Sequence, residues 1–98
     1  MGLRDDADLL ILTSLAGGPK HGYAMIEDIA AITGVRLGPG TLYGAIGRLE
    51  AEGMIEALET DERRRPYQIT AQGRRQLEKE IGGMRGLIAT GLRRLKRA

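Results

Sequence analysis

Apolar residues recur at helical spacing in four segments of the chain, and two short apolar runs around a charged loop separate the third segment from the fourth. Leu9, Leu12 and Leu15 step by threes behind Asp5, Asp6 and Asp8, whose charge favours a helix N-terminus, and Gly17-Gly18-Pro19 ends the run. A second stripe of Met25, Ile26, Ile29, Ala30 and Ile32 opens on Lys20-His21-Gly22-Tyr23 and closes at Gly34. Pro39 marks the start of the third helix, since its fixed φ suits the first helical position and its missing N–H is not needed there. Gly53 marks the stop. Only a few residues link the second helix to the third, so the pair reads as a helix-turn-helix.

The third helix has two unlike faces. Leu42, Ala45, Ile46 and Leu49 form its buried stripe, while Thr41, Gly44, Gly47 and Arg48 lie opposite, with almost no bulk. A glycine inside a helix costs about 1 kcal/mol relative to alanine, a loss that close approach to another large molecule offsets. After Gly53 the runs Met54 to Thr60 and Tyr67-Gln68-Ile69, separated by Asp61-Glu62-Arg63-Arg64-Arg65-Pro66, predict a β-hairpin. Thr70 can then cap the N-terminus of a last helix. The expected fold is mainly α with a small β-hairpin: a winged helix-turn-helix over residues 1–70 and a closing helix over 71–98.

In that closing helix Leu77, Ile81, Met84, Ile88 and Leu95 follow alternating steps of four and three, with Gly91 in the missing place, and Leu87 and Leu92 widen the stripe. Nothing later in the sequence could cover it, so a second copy of the chain is expected there, reaching the first helix at Leu9 and Leu12. A domain of 98 residues gains core by such pairing. Gly82, Gly83, Gly86 and Gly91 weaken the helix on its own.

Charge changes the picture more than composition does. Residues 1–60 carry four basic and nine acidic side chains, and residues 61–98 carry eleven basic and four acidic ones, so a net charge of +2 conceals a strongly basic end. A polyanionic partner fits that concentration. The longest apolar stretch, Leu9 to Leu12, is too short to cross a membrane, and neither a leader segment nor any cysteine is present, which places the expected site of action in the cytoplasm. Paired acid–base groups, a phosphate-binding glycine loop and metal-ligand spacing are all missing, so no enzyme activity, catalytic residue, metal or cofactor is expected.

The order and spacing of Lys20-His21-Gly22-Tyr23, Gly38-Pro39-Gly40-Thr41-Leu42-Tyr43 and Arg65-Pro66-Tyr67-Gln68-Ile69-Thr70 resemble the PadR family of bacterial transcriptional regulators, over nearly all of residues 8–80. The resemblance implies a dimeric winged-helix repressor with its third helix in the DNA major groove, its wing on the backbone or minor groove, and a C-terminal dimerisation helix of the short-tailed type. The chain departs from the pattern at Gly44, where many members have proline. It also lacks Trp and Phe, so an aromatic effector pocket is not evident, and the question of a small-molecule effector stays open.

Double-stranded DNA is therefore the expected partner, recognised as a palindromic operator by a homodimer. Thr41 and Tyr43, with Gly40 and Gly44 beside them, stand in the first turn of the third helix, where a hydroxyl and free N–H groups reach phosphates or base edges. Thr41 could instead cap the helix and Tyr43 pack under the wing. Arg48 has two readings, a two-pronged bond to guanine or an i+4 pair with Glu52. Lys20, His21 and Tyr23 open the second helix at the end that meets a phosphate. Arg63, Arg64 and Arg65 crowd the hairpin tip, either to line phosphates or as a solvated loop that protects the sheet edge. Arg93, Arg94, Lys96 and Arg97 complement the end of the last helix. The alternative function is a winged-helix protein-interaction adaptor without sequence-specific DNA binding, its apolar seam serving a different partner.

Overall fold

The computed structural model describes residues 3–61 and 63–97, with side chains from Ala7 onward. Four helices and three short strands follow one another as α1 (Leu3–Ala16), β1 (Lys20–His21), α2 (Gly22–Thr33), α3 (Pro39–Ala51), β2 (Ile55–Ala57), β3 (Pro66–Ile69) and α4 (Ala71–Arg97). Helix ends follow the local chemistry of the sequence. Gly34 and Gly53 stand just past α2 and α3 at φ of 76° and 77°, the left-handed conformation that releases the chain from a helix. Asp5 and Asp6, expected to charge the start of α1, have side chains outside the described residues.

The sheet has one strand more than the pattern of residues predicts. The expected hairpin forms from β2 and β3, with Ile55 opposite Ile69, but Lys20 and His21 add β1 on the free side of β3, opposite Tyr67 and Pro66. The strand order is β1-β3-β2 throughout an antiparallel sheet. Two residues are too few for an alternating pattern to register, which is why β1 reads in the sequence as the approach to a helix. Its pairing fastens the base of the wing to the N-terminus of α2.

One core joins these elements. Ile11, Leu12 and Leu15 of α1 meet Met25, Ile26 and Ile29 of α2, Leu42, Ala45, Ile46 and Leu49 of α3, and Ile55 and Ile69 of the sheet, all buried. The link to α3 is tied down by buried Leu37 and by Arg36, whose Nη2 donates to Glu27 Oε1 at 2.5 Å. That hydrogen bond, reinforced by the charge of the guanidinium, holds the exposed Glu27 carboxyl below its ordinary value. Beneath the turn after α1, buried Ser14 donates its hydroxyl to Asp28 Oδ2 at 2.7 Å.

The fold is a winged helix-turn-helix extended by one long helix. Leu12 and Leu77, expected between two chains, are instead 2% and 7% exposed within the core of this one. The first turns of α4 account for the difference: Thr70 Oγ1 accepts the Gly73 N–H at 3.0 Å, and Gly73 and Leu77 then pack onto the body. Leu9 is half-buried against the core and Met84 half-buried on α4, whereas Ile81, Leu87, Ile88, Leu92 and Leu95 are exposed.

Candidate nucleic-acid interface

The N-terminus of α2 sits at one side of a cleft, and its residues take different parts. His21 is extended and caps the helix, its Nδ1 accepting the Ala24 N–H at 3.2 Å. Lys20, expected on a phosphate, points inward. Its ammonium donates to the Ser14 carbonyl at 2.6 Å and the Gly18 carbonyl at 3.1 Å and lies 3.9 Å from the Asp28 carboxylate. Two carbonyls take up two of its three donors and a carboxylate balances its charge, so this cation serves the turn after α1. Gly22 is buried under the ring of Tyr43: a Cβ there would lie 2.5 Å from the phenolic oxygen and 2.7 Å from Cζ. The HGY turn and the first turn of α3 are therefore cut to fit each other, and only glycine admits the ring.

The outer face of α3 is as bare as its sequence implies. Gly38 precedes Pro39 in an extended conformation and gives no side-chain cap, so the first N–H groups of the helix lack a side-chain acceptor. Gly40, Thr41, Tyr43, Gly44 and Gly47 are exposed, and a Cβ at Gly40 or Gly47 would meet nothing within 4 Å. The Thr41 hydroxyl makes no side-chain hydrogen bond among the described residues, and the N-terminus of α3 has no side-chain cap, so the hydroxyl is not spent there. Arg48 departs from both sequence readings. Its Nη2 donates to Asp8 Oδ1 of α1 at 2.9 Å, with the two side chains 32% and 26% exposed, and its Nε is buried without an acceptor. A partly buried carboxylate across the α1–α3 packing outcompetes the exposed Glu52 on the same helix.

The wing closes the cleft. The Arg64 guanidinium lies 5.5 Å from the centre of the Tyr23 ring, within cation–π reach. Tyr67 of β3 forms the floor, half-buried; burial, more than the nearby Glu50 charge, raises its phenol above the ordinary 10.0, while Arg65 opposes the shift. The resulting cleft of about 390 Å³ is lined by His21, Gly22, Tyr23, Tyr43 and Tyr67 together with Arg63, Arg64 and Arg65. All three aromatic residues of the chain thus face the three wing arginines. Tyr23 and Tyr43 are each half-exposed, with hydroxyls suited to phosphate oxygens and rings suited to sugars and bases. Among the described residues no group of His, Cys, Asp and Glu could hold a metal ion. Gly22 and Tyr67 were not legible as parts of this site, although the Arg65-Pro66-Tyr67 run places the tyrosine one step behind the wing.

A family model for the transcriptional regulator PadR-like family matches residues 11–79, from the core of α1 into the third turn of α4. The chain belongs to that family. A curated relative, an uncharacterised 37.1 kDa protein in transposon TN4556 of Streptomyces fradiae, is 49% identical over 80 residues, which are 82% of this chain and 23% of that protein. The chain thus spans about a quarter of the length of that curated relative. Among solved structures, a transcriptional regulator from Clostridium thermocellum superposes with a TM-score of 0.79 at 28% identity, covering 94% of this chain and 91% of its own. A PadR family transcriptional regulator from Eggerthella lenta gives 0.73 at 27% identity, covering 98% and 87%. In this PadR-like chain no helix among the described residues is long and apolar enough to cross a membrane.

Proposed function

We propose that this PadR-like chain is a homodimeric DNA-binding transcriptional repressor that recognises a palindromic operator. The observation that carries the proposal is the convergence of three tyrosines and three arginines on one cleft beside the bare outer face of α3. In this reading α3 enters the major groove, where Gly40, Gly44 and Gly47 let its backbone approach the bases and Thr41 supplies the exposed hydroxyl. Arg63, Arg64 and Arg65 line the adjoining phosphates, Tyr23 and Tyr43 contact the backbone between wing and helix, and His21 holds the end of α2 that faces it. Arg48 keeps α3 at its angle to α1 instead of reading a base. Residues 1–70 act as the DNA-binding unit, and 71–98 join two such units. Repression follows from occupancy alone, without a catalytic step.

Fluorescence anisotropy against DNA from the chain's own upstream region, titrated at several salt concentrations, tests this directly. Specific binding with a steep negative dependence on salt is expected. Replacing Arg63, Arg64 and Arg65 together by alanine should weaken binding to all sequences and reduce the salt slope by about 3, whereas Thr41→Ala should change the preferred sequence at roughly constant slope. Binding indifferent to both salt and sequence would overturn the proposal.

A further inference from the structure

The cations around the cleft are not equally committed. Lys20 and Arg48 are partly buried against the carboxylates of Asp28 and Asp8, whereas Arg36 stands on the surface, its side chain 56% exposed and that of its partner Glu27 52% exposed. An exposed pair of this kind contributes little to stability and breaks at little cost. The backbone around it is fixed, since the Thr33 hydroxyl accepts the Val35 N–H at 3.0 Å on one side and Leu37 is buried on the other. What can move is the guanidinium. Tyr23 and Glu27 stand one turn apart on α2 and share a face, so the bond to Glu27 brings Arg36 alongside Tyr23. Hydrogen bonding and charge from Glu27, opposed by desolvation and helped by smaller contributions from the Tyr23 phenol, raise the guanidinium above its ordinary value. Arg64 lies over the ring of the same tyrosine at 5.5 Å. The row of Arg64, Tyr23 and Arg36 therefore runs from the wing to just before the Gly38 N-cap of α3, with the Glu27 carboxylate set into it.

We propose that Arg36 is a phosphate-binding residue of the DNA surface and that Glu27 competes with DNA for it, holding the guanidinium beside Tyr23 until a backbone phosphate takes the place of the carboxylate. This rests on the DNA-binding function proposed above and adds a contact and an internal competitor to that site. A phosphate can engage parallel N–H groups of the guanidinium fork, while in the free chain a single oxygen of Glu27 accepts from Nη2. The exchange also relieves a repulsion, because a carboxylate left where the phosphate docks would face like charge. Lys20 and Arg48 are poorly placed for such an exchange, since their departure would strand Asp28 and Asp8 in the packing between helices. A competitor for one phosphate contact lowers affinity for all sequences alike. Base readout by α3 then supplies a larger share of the total binding.

Because a phosphate contact acts on any sequence, a fluorescein-labelled duplex of random sequence serves as the probe. In anisotropy titrations at several salt concentrations, Arg36→Gln should weaken binding about fivefold and reduce the salt slope by about 1 for each chain bound, while Arg36→Lys keeps the slope. A residue that merely tied the link to α3 would move thermal stability without moving the slope. Glu27→Gln should strengthen binding about threefold where Arg36 is present, and by less than about 1.5-fold in the Arg36→Gln background. An unchanged slope in Arg36→Gln, an equal gain from Glu27→Gln in both backgrounds, or no gain from Glu27→Gln in the otherwise native chain would overturn this proposal and leave DNA binding standing. The last of these outcomes decides the matter even if Arg36→Gln fails to fold. A wild-type chain whose binding ignores salt would overturn both readings.

Discussion

Two glycines of α4 should respond in opposite directions to the same substitution. Gly82 lies on the open helix surface, where an added Cβ meets nothing within 4 Å, so Gly82→Ala should gain up to about 1 kcal/mol from helix propensity. Gly73 is buried, and a Cβ there would drive into the Met54 carbonyl and come within 2.8 Å of Ile69 Cγ1. The carbonyl cannot simply step aside, because it also accepts the Thr70 N–H at 3.0 Å, the bond that seats the start of α4 on the end of α3. Overpacking of this kind costs about 1–3 kcal/mol, and loosening that hydrogen bond costs about 1 kcal/mol more, against a propensity gain of about 1. Gly73→Ala should therefore lose roughly 2 kcal/mol, lowering the thermal midpoint by about 8–16 °C, while Gly82→Ala raises it by up to about 4–8 °C. Circular dichroism melts at one fixed protein concentration measure both, since dimerisation would otherwise shift the midpoints. A Gly73→Ala protein that melts at or above the wild type would refute the close packing of α4 on Met54.

Three further outcomes follow from the site. Gly22→Ala should expel the Tyr43 ring, and its effect on stability should shrink markedly in a Tyr43→Ala background, as a four-protein melting cycle would reveal; simple additivity would separate the two residues. Asp8→Ala leaves the partly buried Arg48 guanidinium without its acceptor and should lower the urea midpoint by the equivalent of about 1–2 kcal/mol at unchanged m-value. Burial raises the Tyr67 phenol above 10.0, so its contribution to stability is intact below that pH and declines as pH rises through the raised value. Melts between about pH 9 and 11 should accordingly fall more steeply for the wild type than for Tyr67→Phe.

Helix boundaries were legible because each rests on one residue acting locally, with Pro39 at a start, Gly34 and Gly53 past the stops, and Thr70 as a cap. The wing was legible as a hairpin, but β1 was not, because its two residues gain strand character only from Tyr67 and Pro66, far along the chain. The same distance dependence separates the site residues. Arg63, Arg64 and Arg65 announce themselves as a charge run, whereas the fate of Lys20 was decided by the carbonyls of Ser14 and Gly18 and that of Arg48 by Asp8 on another helix. Periodicity placed Leu12 and Leu77 on apolar faces but could not tell which neighbour would cover them, and the packing of α1 and α4 within one chain supplied it.

The two-residue strand that joins Lys20 to Tyr67 also orders events in time. Its partners lie nearly half the chain apart, so the loop between them must close, at an entropic cost, before the contact returns anything, whereas α2 and α3 form from near neighbours. The floor and wing of the cleft should therefore form late in folding, after the local contacts within α2 and α3. Partial opening runs the other way: losing β1 from the sheet would unmake the cleft while the helical core persists, so amide exchange at His21 and Tyr67 should be faster than at Leu42 or Ile46.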